Sequence, residues 1–254
     1  INSTTAGRVA DAPSNSWVYR LLPVGLWPYA QLARWDRPIG WWLLLWPCLW
    51  SLALSWGVSE AALDASLLVQ AVLFWAGAVA MRGAGCTYND IVDVGIDAQV
   101  SRTASRPIPS GRVSKIQAAF FLVLQAFVGL LVLIGLCLLV EPFNQFAFVL
   151  ACASLGVVAF YPFAKRVTNW PQFVLGLSFS WGALMGWAVA FGEVSTPAVL
   201  LYAGSILWVI GYDTIYAHQD REDDAIVGVR SPARLFGART VQALLVLFGG
   251  TCML

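Results

Sequence analysis

Histidine occurs once in the 254 residues, at His218, and charged side chains make up only 11% of the chain. A single histidine rules out a histidine-based metal centre. So few charges, set beside 59% hydrophobic residues, exclude an ordinary water-soluble domain and the basic groove of a nucleic-acid binder. The five cysteines (Cys48, Cys86, Cys137, Cys152 and Cys252) have no C-x-x-C spacing, which argues against zinc and against a disulfide framework. They lie in or beside apolar segments, where small buried hydrophobes at helix contacts are expected. The first 17 residues contain no complete signal or transit peptide.

What the chain has instead is long apolar runs. A bilayer-spanning helix needs roughly 20 mostly apolar residues, and such runs occur near residues 38–57, 66–86, 118–140, 143–164, 171–192 and 197–212, with a seventh at 241–254. The expectation is an all-α polytopic membrane protein, with a non-membrane segment over residues 1–28 and a transmembrane domain over 29–254. The chain begins at Ile1 and ends at Leu254 inside an apolar run, so a piece of a longer protein with an unfinished seventh span is expected.

Lysine and arginine are missing from the first, third and fifth connections, which hold only Glu60, Asp64, Glu141 and Glu193. All 15 cations fall in the N-terminal segment, in the even-numbered connections or in the helix ends beside them. The positive-inside rule places that side in the cytoplasm or matrix.

The even connections carry the informative patterns. In the second, NDIVDVGID, Asn89, Asp93 and Asp97 are four apart, with Asp90 beside them. If the helix continues, they stack on one face. Like charges at this spacing repel, and an unpaired charge beside a membrane is costlier still, so a bound cation is the natural resolution. The sixth connection repeats the design: Asp213, Asp220 and Asp224 of YDTIYAHQDREDD share one helical face. Oxygen-only ligands suit magnesium, which takes one or two carboxylates per site, and no EF-hand loop supports calcium.

Basic residues accompany the acids. Arg102, Arg106, Arg112 and Lys115 follow the first cluster, Lys165 and Arg166 end the fourth span, and Arg221 lies within the second cluster. Arginine offers a planar fork for phosphate, and the prolines and glycine of RPIPSGR fix a turn that presents Arg106. Arg112, Lys115, Arg230, Arg234 and Arg239 read more simply as positive-inside charges.

The strings NDIVDVGID, SRTASRPIPSG, YPFAKRVTNWPQ and YDTIYAHQDREDD, in this order and on one membrane face, resemble the UbiA superfamily of intramembrane prenyltransferases. With LARWDRPIGWWLLLWP and MRGAGCTYND, the pattern is most similar to members that prenylate 4-hydroxybenzoate in ubiquinone biosynthesis. The resemblance implies nine transmembrane helices around a central cavity, of which about six to seven are present here. It also implies a Mg2+ site on Asn89, Asp90, Asp93, Asp97, Asp220 and Asp224, with diphosphate contacts from Arg102, Arg106, Lys165 and Arg166.

The implied reaction is transfer of a polyprenyl group from polyprenyl diphosphate to the carbon ortho to the hydroxyl of 4-hydroxybenzoate. Catalytic roles fall to Asp220, Arg166 and Asp213, with Asp220 or Asp213 a candidate base. Arg37 is a candidate partner for the acceptor's carboxylate by position, and Arg82 competes for that role. The lipid bilayer and ubiquinone-biosynthesis enzymes are the implied partners, and the mitochondrial or bacterial inner membrane is the implied location. The alternatives are a related prenyltransferase acting on a haem, a chlorophyll precursor or a naphthoate, a cation or phosphate transporter, and a noncatalytic isoprenoid-binding scaffold. Acids confined to helix ends on one side speak against a transporter, whose site sits near the midplane.

Overall fold

In the computed structural model, residues 7–13, 15–59, 65–139, 142–168, 170–217 and 236–254 are described. Among them every regular element is helical. Two short helices, α1 (Val18–Leu21) and α2 (Trp27–Leu32), precede α3 (Ile39–Ser59), α4 (Ala65–Val92) and the single turn α5 (Val94–Asp97). Then come α6 (Lys115–Leu138), α7 (Gln145–Val167), α8 (Pro171–Ser180), α9 (Gly182–Phe191), α10 (Thr196–Ala217) and α11 (Thr240–Met253).

Six stretches among these residues are long and apolar enough to cross a bilayer: α3, α4, α6, most of α7, α8 with α9, and α10. The protein is thus an integral membrane protein, as the hydropathy predicts. α11 is apolar but has 14 residues. Two helices reach further than hydropathy indicates. α4 runs past residue 86 to Val92 and α10 to Ala217, so Asn89, Asp90 and Asp213 sit inside helices. Backbone hydrogen bonds continue a helix through polar residues once an apolar segment has started it.

The chain divides into two compact units. One comprises Ile1–Trp42 and Trp75–Val132, the other Leu43–Phe74 and Leu133–Leu254. In the first, the start of α3, the end of α4 and the start of α6 come together with the N-terminal segment and the loop 98–114. The part of α6 in this unit turns Ile116, Phe120, Val123, Leu124 and Phe127 outward, an apolar surface for lipid.

The second unit packs through small residues. Gly182 and Gly186 of α9 form a G-x-x-x-G pair, the device that lets membrane helices approach closely. A Cβ on Gly186 would lie 2.6 Å from the Leu52 backbone nitrogen, and one on Gly182 would run into Cys48 Sγ. At this crossing Ser51 Oγ accepts a 2.8 Å hydrogen bond from the Trp187 backbone N–H. Asn144 caps α7 by accepting from the Ala147 N–H at 2.9 Å, and its amide donates to the Ala188 and Val189 carbonyls that end α9. α9 then stops at Gly192, whose φ of 68° is the left-handed geometry that favours glycine. Within this unit α8 with α9 is 61% buried and α7 only 11%, so the glycine-bearing pair is the inner element.

The expectation for the cysteines needs correction at two positions. Cys48, Cys86 and Cys137 are buried as expected, but Cys152 and Cys252 are exposed. All five are free thiols.

Candidate active site

The first acidic motif is built at the end of α4. Asp90, in its last turn, is fully buried, and Asp93 and Asp97 are buried with it. Stacking of Asn89, Asp93 and Asp97 on one face requires that the helix continue; α4 ends at Val92, and Asp93 takes φ −95°, ψ 8° before α5 begins. The break is slight. The Asp93 N–H still donates to the Asn89 carbonyl, and the Asp97 N–H to the Asp93 carbonyl, both at 2.9 Å. A bent but hydrogen-bonded connection keeps the motif together while turning Asp97 toward the loop that follows.

That loop presents Arg106. The Arg106 N–H donates to the Thr103 carbonyl at 2.9 Å and the Arg106 carbonyl accepts from the Ser110 N–H at 3.0 Å. Thr103 Oγ1 donates to the Asp97 carbonyl at 2.9 Å. Gly111 has a positive φ of 75°. Ile108 and Val113 bury themselves against Leu32 and Ala118, so apolar packing fixes the turn from below. From it Arg106 Nη1 reaches Asp90 Oδ1 at 3.2 Å and Asp97 Oδ2 at 3.0 Å, and Nε reaches Asp11 Oδ2 at 2.9 Å.

Three side chains in this cluster were not singled out from sequence. Arg34 follows α2 with a left-handed φ of 58°, strained for a non-glycine residue. It donates to Asp90 Oδ1 and to the Gln31 carbonyl, both at 2.6 Å. Asp36 and Asp11 flank Arg37, whose guanidinium reaches Asp36 Oδ2 at 3.1 Å, Asp11 Oδ1 at 3.0 Å and the Asp11 carbonyl at 2.6 Å. Low overall charge was the available signal for Arg34 and Asp36, since in so apolar a chain a charge beside a span is unusual; Asp11 had no local signal.

Arg112 departs from its reading as a positive-inside charge. It donates to the Gly7 carbonyl at 2.6 Å, Gln31 Oε1 at 2.8 Å, the Ser105 carbonyl at 2.6 Å and Ser110 Oγ at 3.0 Å. It ties the N-terminal segment to the loop.

Five carboxylates (Asp11, Asp36, Asp90, Asp93 and Asp97) gather with Arg34, Arg37 and Arg106. Burial pushes the Asp97 carboxyl up from its ordinary value; Asp90 and Asp93 add to this, and Arg106 only partly opposes it. Burial would raise Asp11 as well, but the hydrogen bond and charge of Arg37, with Arg106 and Arg34, hold it well below the carboxylate range.

Asp90 Oδ1 is saturated by two arginines, whereas Oδ2 is buried with no hydrogen-bond partner among the described residues. A bare, buried anionic oxygen suits a hard divalent cation. Among the described residues no three His, Cys, Asp or Glu side chains converge tightly enough to cage a metal by themselves. The carboxylate oxygens of the motif are donors of the kind magnesium takes, with water and phosphate completing its shell.

Asn89 is half-buried in the last turn of α4, and Arg102 is half-buried in the loop. Asp213 lies in α10 of the other unit, half-buried. Lys165 and Arg166 occupy the last turn of α7, with their side chains outside the described set. Asp220 and Asp224, like Arg221 and His218, lie outside the described residues.

A profile of the UbiA prenyltransferase family matches residues 44–254. The chain belongs to this family. Among UbiA relatives, a protein of Aedes aegypti is 50% identical over 84% of this chain and 46% of its own length. One of Arabidopsis thaliana is 47% identical over 89% and 53%, and one of Caenorhabditis elegans 40% identical over 99% and 68%. Each is named 4-hydroxybenzoate polyprenyltransferase, mitochondrial. The chain spans about half the length of the first two.

Two solved structures share the fold. An apo UbiA homolog from Aeropyrum pernix K1 has a TM-score of 0.67 at 28% identity, covering 82% of this chain and 74% of that one. A UbiA homolog from Archaeoglobus fulgidus, bound to DMAPP and Mg2+, has a TM-score of 0.64 at 16% identity, covering 89% and 75%.

Proposed function

We propose that this UbiA member transfers a polyprenyl group, with magnesium, from polyprenyl diphosphate to the carbon ortho to the hydroxyl of 4-hydroxybenzoate, in ubiquinone biosynthesis. The observation that carries this reading is the 40–51% identity to proteins of that name. The bare Asp90 Oδ2 beside Arg34 and Arg106 supports the metal requirement, as does the solved relative bound to DMAPP and Mg2+. The names of the relatives support a mitochondrial location, and the inner membrane, with the acidic ends on the matrix side, follows from the chemistry and the cation distribution. Other ubiquinone-biosynthesis enzymes are proposed partners.

In this mechanism Asn89, Asp90, Asp93 and Asp97 hold one part of the metal site, and Asp220 and Asp224 the other. Bound magnesium supplies charge neutralisation as the diphosphate leaves. Arg102, Arg106, Lys165 and Arg166 grip the diphosphate oxygens, where charge grows as the bond to the allylic carbon breaks. The electron-rich ring attacks that carbon, and Asp213 or Asp220 takes the proton that restores aromaticity. Arg37 orients the acceptor through its carboxylate. The apolar spans keep water from the allylic centre and leave the polyprenyl tail in hydrocarbon.

The test measures prenylated 4-hydroxybenzoate in membranes containing the native protein or Asp93→Asn, with magnesium and a polyprenyl diphosphate. Product that needs magnesium and drops at least about 100-fold in the variant supports the proposal. Absence of product with this acceptor, but turnover with a naphthoate or haem, reassigns the acceptor.

A further inference from the structure

Residues 7–13 have no regular secondary structure, yet they end on the two guanidinium groups that the reading above gives to substrate anions. Asp11 bridges them: Oδ1 accepts from Arg37 Nη2 at 3.0 Å and Oδ2 from Arg106 Nε at 2.9 Å. Its side chain is only 3% exposed. Around it, the Gly7 carbonyl accepts from Gln31 Nε2 and Arg112, and the Ala10 N–H donates to Ser105 Oγ at 2.8 Å. Every one of these tethers is polar, and Val9 is the single buried apolar side chain of the segment. A segment held this way opens at lower free energy than one packed into a core.

We propose that Asp11 is an internal stand-in for a substrate oxyanion, and that residues 7–13 form a strap that must release Arg37 and Arg106 before an anionic headgroup can bind. A carboxylate spanning two guanidinium forks meets the same donors as a carboxylate or diphosphate oxygen would. The exchange frees particular donors: with Asp11 withdrawn, Arg37 Nη1 and Arg106 Nε lose their acceptors and can meet an incoming oxyanion, while Asp36 still holds the other edge of Arg37 and Asp90 and Asp97 still hold Arg106 Nη1. The strap lowers apparent affinity by the fraction of molecules in which it is open. This inference rests on the assignment of Arg37 and Arg106 to substrate, and its test separates the two.

The full-length protein in lipid nanodiscs carries the test. Asp11→Asn keeps the shape and removes the anion, so the KM for whichever anion the pair takes should fall about 3- to 10-fold with kcat little changed. A fall for polyprenyl diphosphate assigns the pair to diphosphate, and a fall for 4-hydroxybenzoate assigns it to the carboxylate. Unchanged or raised KM for both overturns the strap and leaves Asp11 as a structural tether.

A second measurement needs no turnover. A disulfide between Ala10→Cys and Ser105→Cys should lock the strap and weaken binding of magnesium pyrophosphate by calorimetry about tenfold, with recovery on reduction. A locked protein that binds pyrophosphate like the reduced one overturns the proposal. Strap-dependent pyrophosphate binding without prenyl transfer would instead overturn the reaction assignment and leave the strap standing.

Discussion

The two units of this chain solve the problem of a low-dielectric environment in opposite ways. The first buries charge: Asp90, Asp97, Asp11, Arg34, Arg37 and Arg106 pair with one another at the ends of three membrane helices. The second uses almost none at its helix contacts, where Gly182 and Gly186 bring α9 onto the Cys48–Leu52 stretch of α3 and one serine hydroxyl links the backbones. Dispersion from close backbone approach holds the second together. The first is held by interactions that are stable only as a set, because each charge left alone in that environment is costly. The ionic unit is thus the one able to exchange an internal ion for an external one.

The sharpest way to break this contrast is Arg34→Ala. It strips Asp90 Oδ1 of its shorter partner and should cost about 3–5 kcal/mol, as for other buried pairs that lose one member. Thermal or denaturant unfolding in detergent reads the loss. A cost under about 1 kcal/mol would mean that Arg106 or water compensates and that the cluster is looser than its distances indicate.

In the second unit, Gly186→Ala places a Cβ 2.6 Å from the Leu52 nitrogen and 2.7 Å from Ser51 Cβ. Overpacking of this kind costs about 1–3 kcal/mol, against less than about 1 kcal/mol gained in helix propensity. Loss of stability with normal magnesium pyrophosphate binding would show the units to be functionally separate. Loss of both would couple them.

Asn144→Ala should cost about 1 kcal/mol for the cap, with the freed Ala188 and Val189 carbonyls adding to it. This too is read by unfolding.

In proton linkage the two acids differ in sign. Asp11 is held below its ordinary value, so its stabilisation is complete above the unfolded pKa of about 3.9 and is lost as pH falls from there toward the folded value. Asp97 is raised. The folded state therefore favours its protonated form below the unfolded pKa, and that advantage is lost as pH rises through the folded value. Asp97→Asn should then modestly stabilise the metal-free protein at neutral pH while weakening magnesium binding. A variant less stable than the native protein at pH 7 would show that the Arg106 pair outweighs burial.

Much of this was legible in the residues. Apolar run length located all six spans, because an unsatisfied backbone cannot cross hydrocarbon except as a helix or closed barrel. The four-residue spacing of Asn89, Asp93 and Asp97 marked the acidic motif, since repelling charges at helical spacing call for an external cation. The break at Asp93 was not specified by the residues: NDIVDVGID has no proline, and its one glycine, Gly95, lies two positions further on. The status of Arg112 was equally hidden: two of its four acceptors, on Gly7 and Gln31, lie far away in the chain, and sequence shows only a basic residue in a basic loop.

By itself, then, the sequence determined the membrane class, the helix inventory, the side that gathers cations and the acid spacing, all of which depend on local composition and period. Only the tertiary structure decided that Arg34 and Arg106 share Asp90, that one Asp90 oxygen stays bare, and that Asp11 closes over Arg37 and Arg106. The last of these joins residues 95 positions apart. Such pairings arise because burial strips the charges of water, and each must then find an opposite charge wherever the fold brings one within reach.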